Sequence, residues 1–281
     1  MKILITGAAG YIGSHVLLEL LDRGYADTDI NVIDRFLTIS PNWVGGLVNH
    51  AYDGHILSIG SSEILSEKYD VIIHLGAYAN GQDNLAATKR MLHFCKGAHF
   101  IFASTGEAHN PLTPFAQSKL SCEELIKEKL KDNYTIFRLY NVSGFRKGIA
   151  TNHEKHLIQQ AAMAARGMIP TVSIYGDDWE THDGTCVRDY IHTADVAASI
   201  VNCIEAGPAN TPYEGLGSGI GHSVKEVLTS MKRVTSTDFH VIMAERRPGD
   251  VASLICPAQY SHISLTHDLD SMCLSAYEGL K

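Results

Sequence analysis

The 281-residue chain predicts an α/β fold: a doubly wound parallel sheet followed by a smaller C-terminal lobe. Three observations predict it. Short, nearly continuous apolar runs alternate with amphipathic segments through the first two-thirds of the chain. A glycine-rich turn follows the first apolar run, and an acidic residue closes the second. Strands that are apolar on both faces belong in a parallel sheet covered by helices on both sides.

The elements follow in order. Lys2–Thr6 (KILIT) reads as a buried strand. Tyr11–Arg23 places Ile12, Val16, Leu17, Leu20 and Leu21 along one side of a helix, and Gly24 stops it. Ile30–Asp34, Tyr69–Leu75 and Phe100–Ala103 are the next strands. Pro114–Lys131 has helical spacing after a proline start, and Tyr134–Tyr140 is a further strand. Beyond about residue 142 the pattern loosens. A helix over Asn152–Arg166, a strand over Val172–Tyr175 and a helix over Thr193–Glu205 are expected there. A glycine-rich turn at Gly215–Gly221, a helix over Val224–Val234 and an extended Phe239–Met243 follow. This divides the chain into residues 1–150 and residues 151–281, with some later segments returning to the first part.

Composition narrows the function. The formal charge of −8 and the absence of any Lys/Arg-rich run oppose binding to nucleic acid or anionic membranes. The six cysteines form no CxxC pair, which favours reduced thiols over a disulfide framework or a zinc site. The fifteen histidines are scattered and make no HExxH, so no metal site is expected. MKILITG runs directly into a strand without an apolar leader, and no apolar run reaches membrane-spanning length. A cytoplasmic location is expected.

The turn Gly7-Ala-Ala-Gly10-Tyr-Ile-Gly13 sits between the first strand and the first helix. One glycine permits the tight turn, one lets a pyrophosphate approach the backbone, and one lets the helix pack on the strand. Tyr11, Ile12 and Gly13 open the helix, whose N-terminus favours phosphate. Asp34 lies twenty-one positions after Gly13, at the end of the second strand. Its carboxylate suits two ribose hydroxyls and repels a 2′-phosphate, so this Rossmann-type fingerprint favours NAD over NADP. Arg35 beside it is a counter-signal.

Several strings go beyond a generic dinucleotide fold. TGAAGYIGSH at 6–15 resembles the start of the extended short-chain dehydrogenases. IYGDDWETHDGTCVRDYIHTADVA at 174–197, GLGSGIGHSVKEV at 215–227, RRPGDVASL at 246–254 and HDLDSMCLSAY near the end resemble the UDP-glucose 4-epimerase family. The resemblance covers nearly the whole chain. It implies a Rossmann-type NAD domain, a smaller C-terminal substrate-binding lobe and a homodimer paired through helices. In the implied reaction, a base takes the sugar 4-OH proton while C4 passes hydride to NAD. The 4-keto sugar rotates and takes the hydride back on its other face.

The resemblance also assigns residues. The cofactor set is Gly7, Gly10, Tyr11, Ile12, Gly13, Asp34, Arg35, Leu75, Gly76, Ala77, Lys119 and Tyr140. The substrate set is Asn141, Asn152, Ser173, Tyr175, Arg188, Arg247 and Asp250. The two arginines match diphosphate ligands, a task that suits planar, bidentate guanidinium groups. Ser173–Tyr175 match the uracil-side strand, and Asp250 the uridine-ribose acceptor. The catalytic set is Thr105, Phe115 and Lys119, where the family carries a hydroxyl and a YxxxK pair on one helical face.

The chain departs from the family's pattern, including loops that look shortened, notably around Tyr78–Ala87. Phe115 occupies the tyrosine position and has no proton to exchange. Thr105 is only ten residues before it, a shorter interval than the family's. His55 stands where the family often has an adenine-binding aspartate. Leu254 falls at the position of the sugar-pocket gate residue, which leaves open whether N-acetylated sugars fit. Two other readings therefore stay open: a non-catalytic NAD and UDP-sugar binder, or a dehydratase or decarboxylase using Glu107 as base. Against the second, Glu107 is equally the residue of an ordinary STGE turn.

Overall fold

A computed structural model describes residues 1–37, 39–58, 63–78, 81–146, 149, 156–209, 211–257, 263 and 265–280. The chain begins with β1 (Ile3–Thr6), α1 (Tyr11–Asp22), β2 (Ile30–Asp34), α2 (Pro41–Gly45), β3 (His50–Asp53), α3 (Glu63–Ser66) and β4 (Val71–His74). It continues with α4 (Asn84–Phe94), β5 (His99–Thr105), α5 (Pro114–Leu130), β6 (Tyr134–Leu139), β7 (Asn141–Ser143), α6 (Leu157–Ala165) and β8 (Thr171–Tyr175). Then follow β9 (Val187–His192), α7 (Thr193–Ala206), β10 (Glu214–Leu216), β11 (Gly221–Ser223), α8 (Val224–Thr235), β12 (His240–Ala244), β13 (Ser253–Leu254) and α9 (Leu269–Gly279). Two compact units result: Met1–Leu139 with Ala197–Glu214, and Tyr140–Val196 with Gly215–Lys281. The first unit ends at Leu139 rather than near residue 150, and most of α7 is the later segment that returns to it.

The first unit is built on six strands in the order β6-β5-β4-β1-β2-β3, the main part of a seven-stranded sheet whose seventh strand is β10. The pairs β1–β2, β1–β4, β2–β3, β4–β5 and β5–β6 are all parallel. Strand β1 lies between β2 and β4, so the strand order reverses there. In such sheets the crevice at the carboxyl ends of the strands, at the point of reversal, is where ligands bind. Leu4, Ile72, Phe100, Phe102 and Ile136 fill the core beneath it.

Two elements of this unit, β3 and α4, carry no clear sequence signal. Strand β3 (HAYD) is a half-exposed edge with no apolar run. Helix α4 buries Asn84, Ala87, Thr88 and Met91, a face of small and polar residues that periodicity does not reveal.

In the second unit, α6, α8 and α9 share a core that includes Ala161, Ala162, Val227, Met231, Met272 and Cys273. Strands β8 and β12 pair in parallel, and β9 carries β11, β13 and β7. Helix α8 starts with a complete capping box, Ser223 and Glu226 each bonding the other's backbone. Helix α6 is described from Leu157; Asn152, expected at a helix start, lies outside the described residues.

All six cysteines are buried, and no disulfide joins any of them. Among the described residues, no helix is long and apolar enough to cross a membrane, and no group of His, Cys, Asp and Glu is arranged to hold a metal.

Candidate functional site

The glycine turn leaves β1 at Gly7, which holds φ +77°, a left-handed conformation that favours glycine. A Cβ there would lie 2.7 Å from the Gly76 nitrogen, and one on Gly13 would lie 2.0 Å from the Gly7 carbonyl oxygen. The backbone is packed so closely that only hydrogen fits at either position. Gly10 caps α1 and offers no side-chain acceptor to the first-turn N–H groups. A helix end built this way suits an anion. Thr6 ties β1 to the neighbouring loop: its hydroxyl lies 2.6 Å from His74 Nδ1 and accepts the Gly76 N–H at 3.2 Å. Burial pushes His74 down to about 3, so it stays neutral. Leu75 donates its N–H to the Thr6 carbonyl, which sets Leu75, Gly76 and Ala77 just beyond β4.

Asp34 closes β2 as expected. One carboxylate oxygen accepts the Ala9 N–H and the other the Phe36 N–H, both at 2.9 Å. These bonds fix the carboxylate against the glycine turn, and its remaining lone pairs can take ribose hydroxyls. Arg35 stacks over Tyr78 with its guanidinium carbon 5.3 Å from the ring centre. Tyr78 stacks on His55 at 4.8 Å. His55 is marked in the sequence by its place in the family pattern, whereas Tyr78, beyond β4, stands in no motif.

Lys119 is 3% exposed on the inner face of α5 and donates from Nζ to the Ala103 carbonyl at 2.6 Å. The ammonium lies 4.6 Å from the Phe102 ring centre and 5.8 Å from that of Phe115. Burial pushes its pKa down to about 8. The chain thus brings Lys119 and Phe115 together, one turn apart on α5. Thr105 ends β5, and its hydroxyl accepts the Glu107 N–H at 3.3 Å. Glu107 in turn accepts from the Thr113 hydroxyl at 3.1 Å, while that hydroxyl accepts the Ala116 N–H at 3.1 Å to cap α5. Glu107 therefore joins a turn to a helix cap.

In the second unit four of the expected substrate residues meet. Strand β13 runs beside β9, with Leu254 in register with Arg188, so the segment leading into it reaches that arginine. Asp250 bridges Arg188 at 3.4 Å and Arg247 at 3.2 Å. Arg188 also donates to the Val187 and Val251 carbonyls, at 2.9 and 2.8 Å, which fixes its direction. Arg247 stacks over Tyr175 at 4.1 Å. The alternation of β8 puts Ser173 and Tyr175 on its open side and Val172 and Ile174 in the core. Two cations around one carboxylate leave an excess positive charge beside an aromatic face. Asn141, on β7, donates to the Asp189 carbonyl at 3.2 Å, and the buried Tyr140 before it donates its N–H to Leu216. Asp189 escaped sequence reading. It is fully buried and accepts four bonds from Ser218, Gly219 and Cys256, and so organises the loops around this cluster.

Residues 3–214 match the NAD dependent epimerase/dehydratase family. The chain is 31% identical to the UDP-glucose 4-epimerase of Caenorhabditis elegans over 91% of its own length and 89% of that protein's. The UDP-glucose 4-epimerase of Bifidobacterium longum, solved in complex with NAD+ and UDP, superposes with a TM-score of 0.86. It shares 26% identity, over 99% of this chain and 98% of that one. The Brucella ovis UDP-glucose 4-epimerase, solved in complex with NAD, gives 0.85 at 29% identity, over 99% and 97% of the two chains. The glycine cradle, the acidic end of β2 and these likenesses agree: the chain belongs to the NAD dependent epimerase/dehydratase family, among the UDP-glucose 4-epimerases.

Proposed function

We propose that the protein is an NAD-dependent nucleotide-sugar 4-epimerase that interconverts UDP-glucose and UDP-galactose through a 4-keto sugar. The observation that carries this reading is Lys119, buried against the end of β5 in the unit that holds the glycine cradle. The cradle at Gly7 and Gly13, which a Cβ would fill, and the helix start at Gly10, which has no side-chain cap, fit a pyrophosphate. NAD supplies the acceptor and donor of hydride at the sugar C4 when bound. Gly10, Tyr11, Ile12 and Gly13 would face its phosphates and Asp34 its adenosine ribose. Leu75, Gly76, Ala77 and Lys119 would surround its nicotinamide half.

The residues of the second unit bind and orient the sugar nucleotide. Arg188 and Arg247 hold the diphosphate with bidentate, charge-assisted bonds. Ser173 and Tyr175 line the uracil, Asp250 takes the uridine ribose, and Asn141 and Asn152 border the sugar and diphosphate. The enzyme works as a cytoplasmic homodimer paired through α5.

The proton is the weak link. Phe115 has none, so the sugar 4-OH proton must pass through the Thr105 hydroxyl or water, with Lys119 favouring the anion. Loss of one general acid/base lowers a rate by roughly 10²–10⁴. Slow conversion of UDP-galactose to UDP-glucose is expected from the native chain, and Phe115→Tyr is expected to raise it by about that factor. The coupled assay for UDP-glucose reads both. No conversion by either protein at high concentration, with UDP-glucose still bound in calorimetry, would establish the second reading instead: a binder without turnover, which the ring of Phe115 specifically favours. The engagement of Glu107 with Thr113 supports the turn role over a dehydratase base.

A further inference from the structure

The first unit contains a charged cluster that none of these roles uses. Glu123 lies one helical turn beyond Lys119 on the buried face of α5 and is 0% exposed. Its Oε1 accepts from Ser104 Oγ at 2.6 Å and from Arg138 Nε at 2.9 Å. Its Oε2 accepts from Arg138 Nη2 at 2.8 Å, with Lys127 Nζ 3.6 Å away. Ser104 and Arg138 are directly opposite each other on β5 and β6. Arg138 Nη1 lies 3.2 Å from His109 Nδ1, on the turn that follows Thr105, and the guanidinium stacks on Tyr213 at 3.8 Å.

A buried ion pair is weak evidence for stability, because well-packed apolar residues often serve as well or better. What this one adds is geometry. It joins at one carboxylate α5, which carries Lys119, β5, which ends at Thr105, and β6; the turn that carries Glu107 reaches the cluster through His109 and Arg138. Ser104 immediately precedes Thr105, and Lys119 bonds the Ala103 carbonyl one residue earlier. Advancing a helix by one residue moves its side chains by ~1.5 Å along the axis and ~100° around it. A bidentate pair flanked by a third bond tolerates no such shift.

We propose that Glu123, through Arg138 and Ser104, is a positioning residue: it locks α5 against the ends of β5 and β6 and so sets the distance between Lys119 and the Thr105 hydroxyl. The proposal rests on the epimerase reading of the Lys119 site.

The test compares two changes made in the full chain carrying Phe115→Tyr. Ser104→Ala removes one bond and leaves the ion pair. Glu123→Met with Arg138→Met replaces the pair by apolar side chains. The expected result is a kcat about ten- to a hundredfold lower for Ser104→Ala and for the methionine pair, with KM for UDP-galactose within about twofold. The loss should persist in the methionine pair even where its Tm matches the parent. A purely structural role predicts recovery of kcat along with Tm. Parent-like kcat in Ser104→Ala, or in a methionine pair with parent-like Tm, overturns the proposal.

If the parent shows no turnover, the epimerase reading fails separately, and the coupling is read on Lys119 itself by NMR of ¹⁵N-labelled lysine. Ser104→Ala, which changes no charge, is then expected to move the Lys119 midpoint by about half a pH unit or more, because a displaced α5 alters the burial that sets it. An unmoved midpoint overturns the proposal.

Discussion

Lys119 sits where the protein works against its charge, and that has a thermodynamic signature. Its folded pKa is about 8, against roughly 10.4 for an unfolded lysine. Between those values the unfolded chain holds a proton that the folded chain has released. Stability from this group therefore rises with pH through the window, and below it the buried charge costs roughly 3 kcal/mol. Lys119→Met has no such group. The unfolding free energy of the native chain is expected to gain about 3 kcal/mol on that of Lys119→Met between about pH 7.5 and 10.5, measured by urea denaturation. Parallel pH profiles would show that the ammonium is not desolvated. Lys119, Phe115 and Asp34 were legible because each stands at a fixed offset within a local motif. Glu123 and Arg138 were not. They stand fifteen residues apart on different elements, and a charged residue inside an otherwise apolar strand such as YTIFRLY leaves no periodic mark of its partner.

The element that most constrains the fold is the link from β1 to α1, because it requires glycine for two different reasons. Gly7 needs both a left-handed backbone and space, with the Gly76 nitrogen 2.7 Å from any added Cβ. Gly24, after the same helix, has φ +85° but nothing within 4 Å of that position. Gly24→Ala should therefore lose only conformational energy, about 1 kcal/mol. Gly7→Ala adds a backbone clash and should lose at least about 3 kcal/mol, together with NAD affinity. Chemical denaturation and calorimetry of the two variants check the difference; equal losses would place the clash elsewhere. The same contrast explains which elements sequence reading recovered. Strands β1, β2, β5 and β6 are buried on both faces and spell themselves in apolar runs. Strand β3 is an exposed edge, and β7, β10, β11 and β13 are two or three residues long, too short for any period to register.

At the scale of the whole molecule, the chain order of the two units is interleaved: the first unit closes only after residues 197–214 return to it. Sequence reading expected returning segments but not the boundary at Leu139, since β6 and β7 follow each other with one intervening residue and no linker composition. The interleaving lets the candidate residues separate by ligand half. The cradle, Asp34 and Lys119 belong to one unit; Ser173, Tyr175, Arg188, Arg247 and Asp250 belong to the other. Ligand binding stabilises the state that binds it by RT ln(1 + [L]/Kd), about 2.7 kcal/mol at a hundred times Kd, or roughly a hundredfold slowing of exchange through that opening. Hydrogen exchange followed by mass spectrometry should then resolve the two halves. NAD is expected to slow amides around residues 7–13, 34–36 and 75–77, and UDP alone those around 173–175, 187–189 and 247–251. Protection of the first set by UDP, or of neither set by either ligand, would contradict the assignment of diphosphate binding to Arg188 and Arg247.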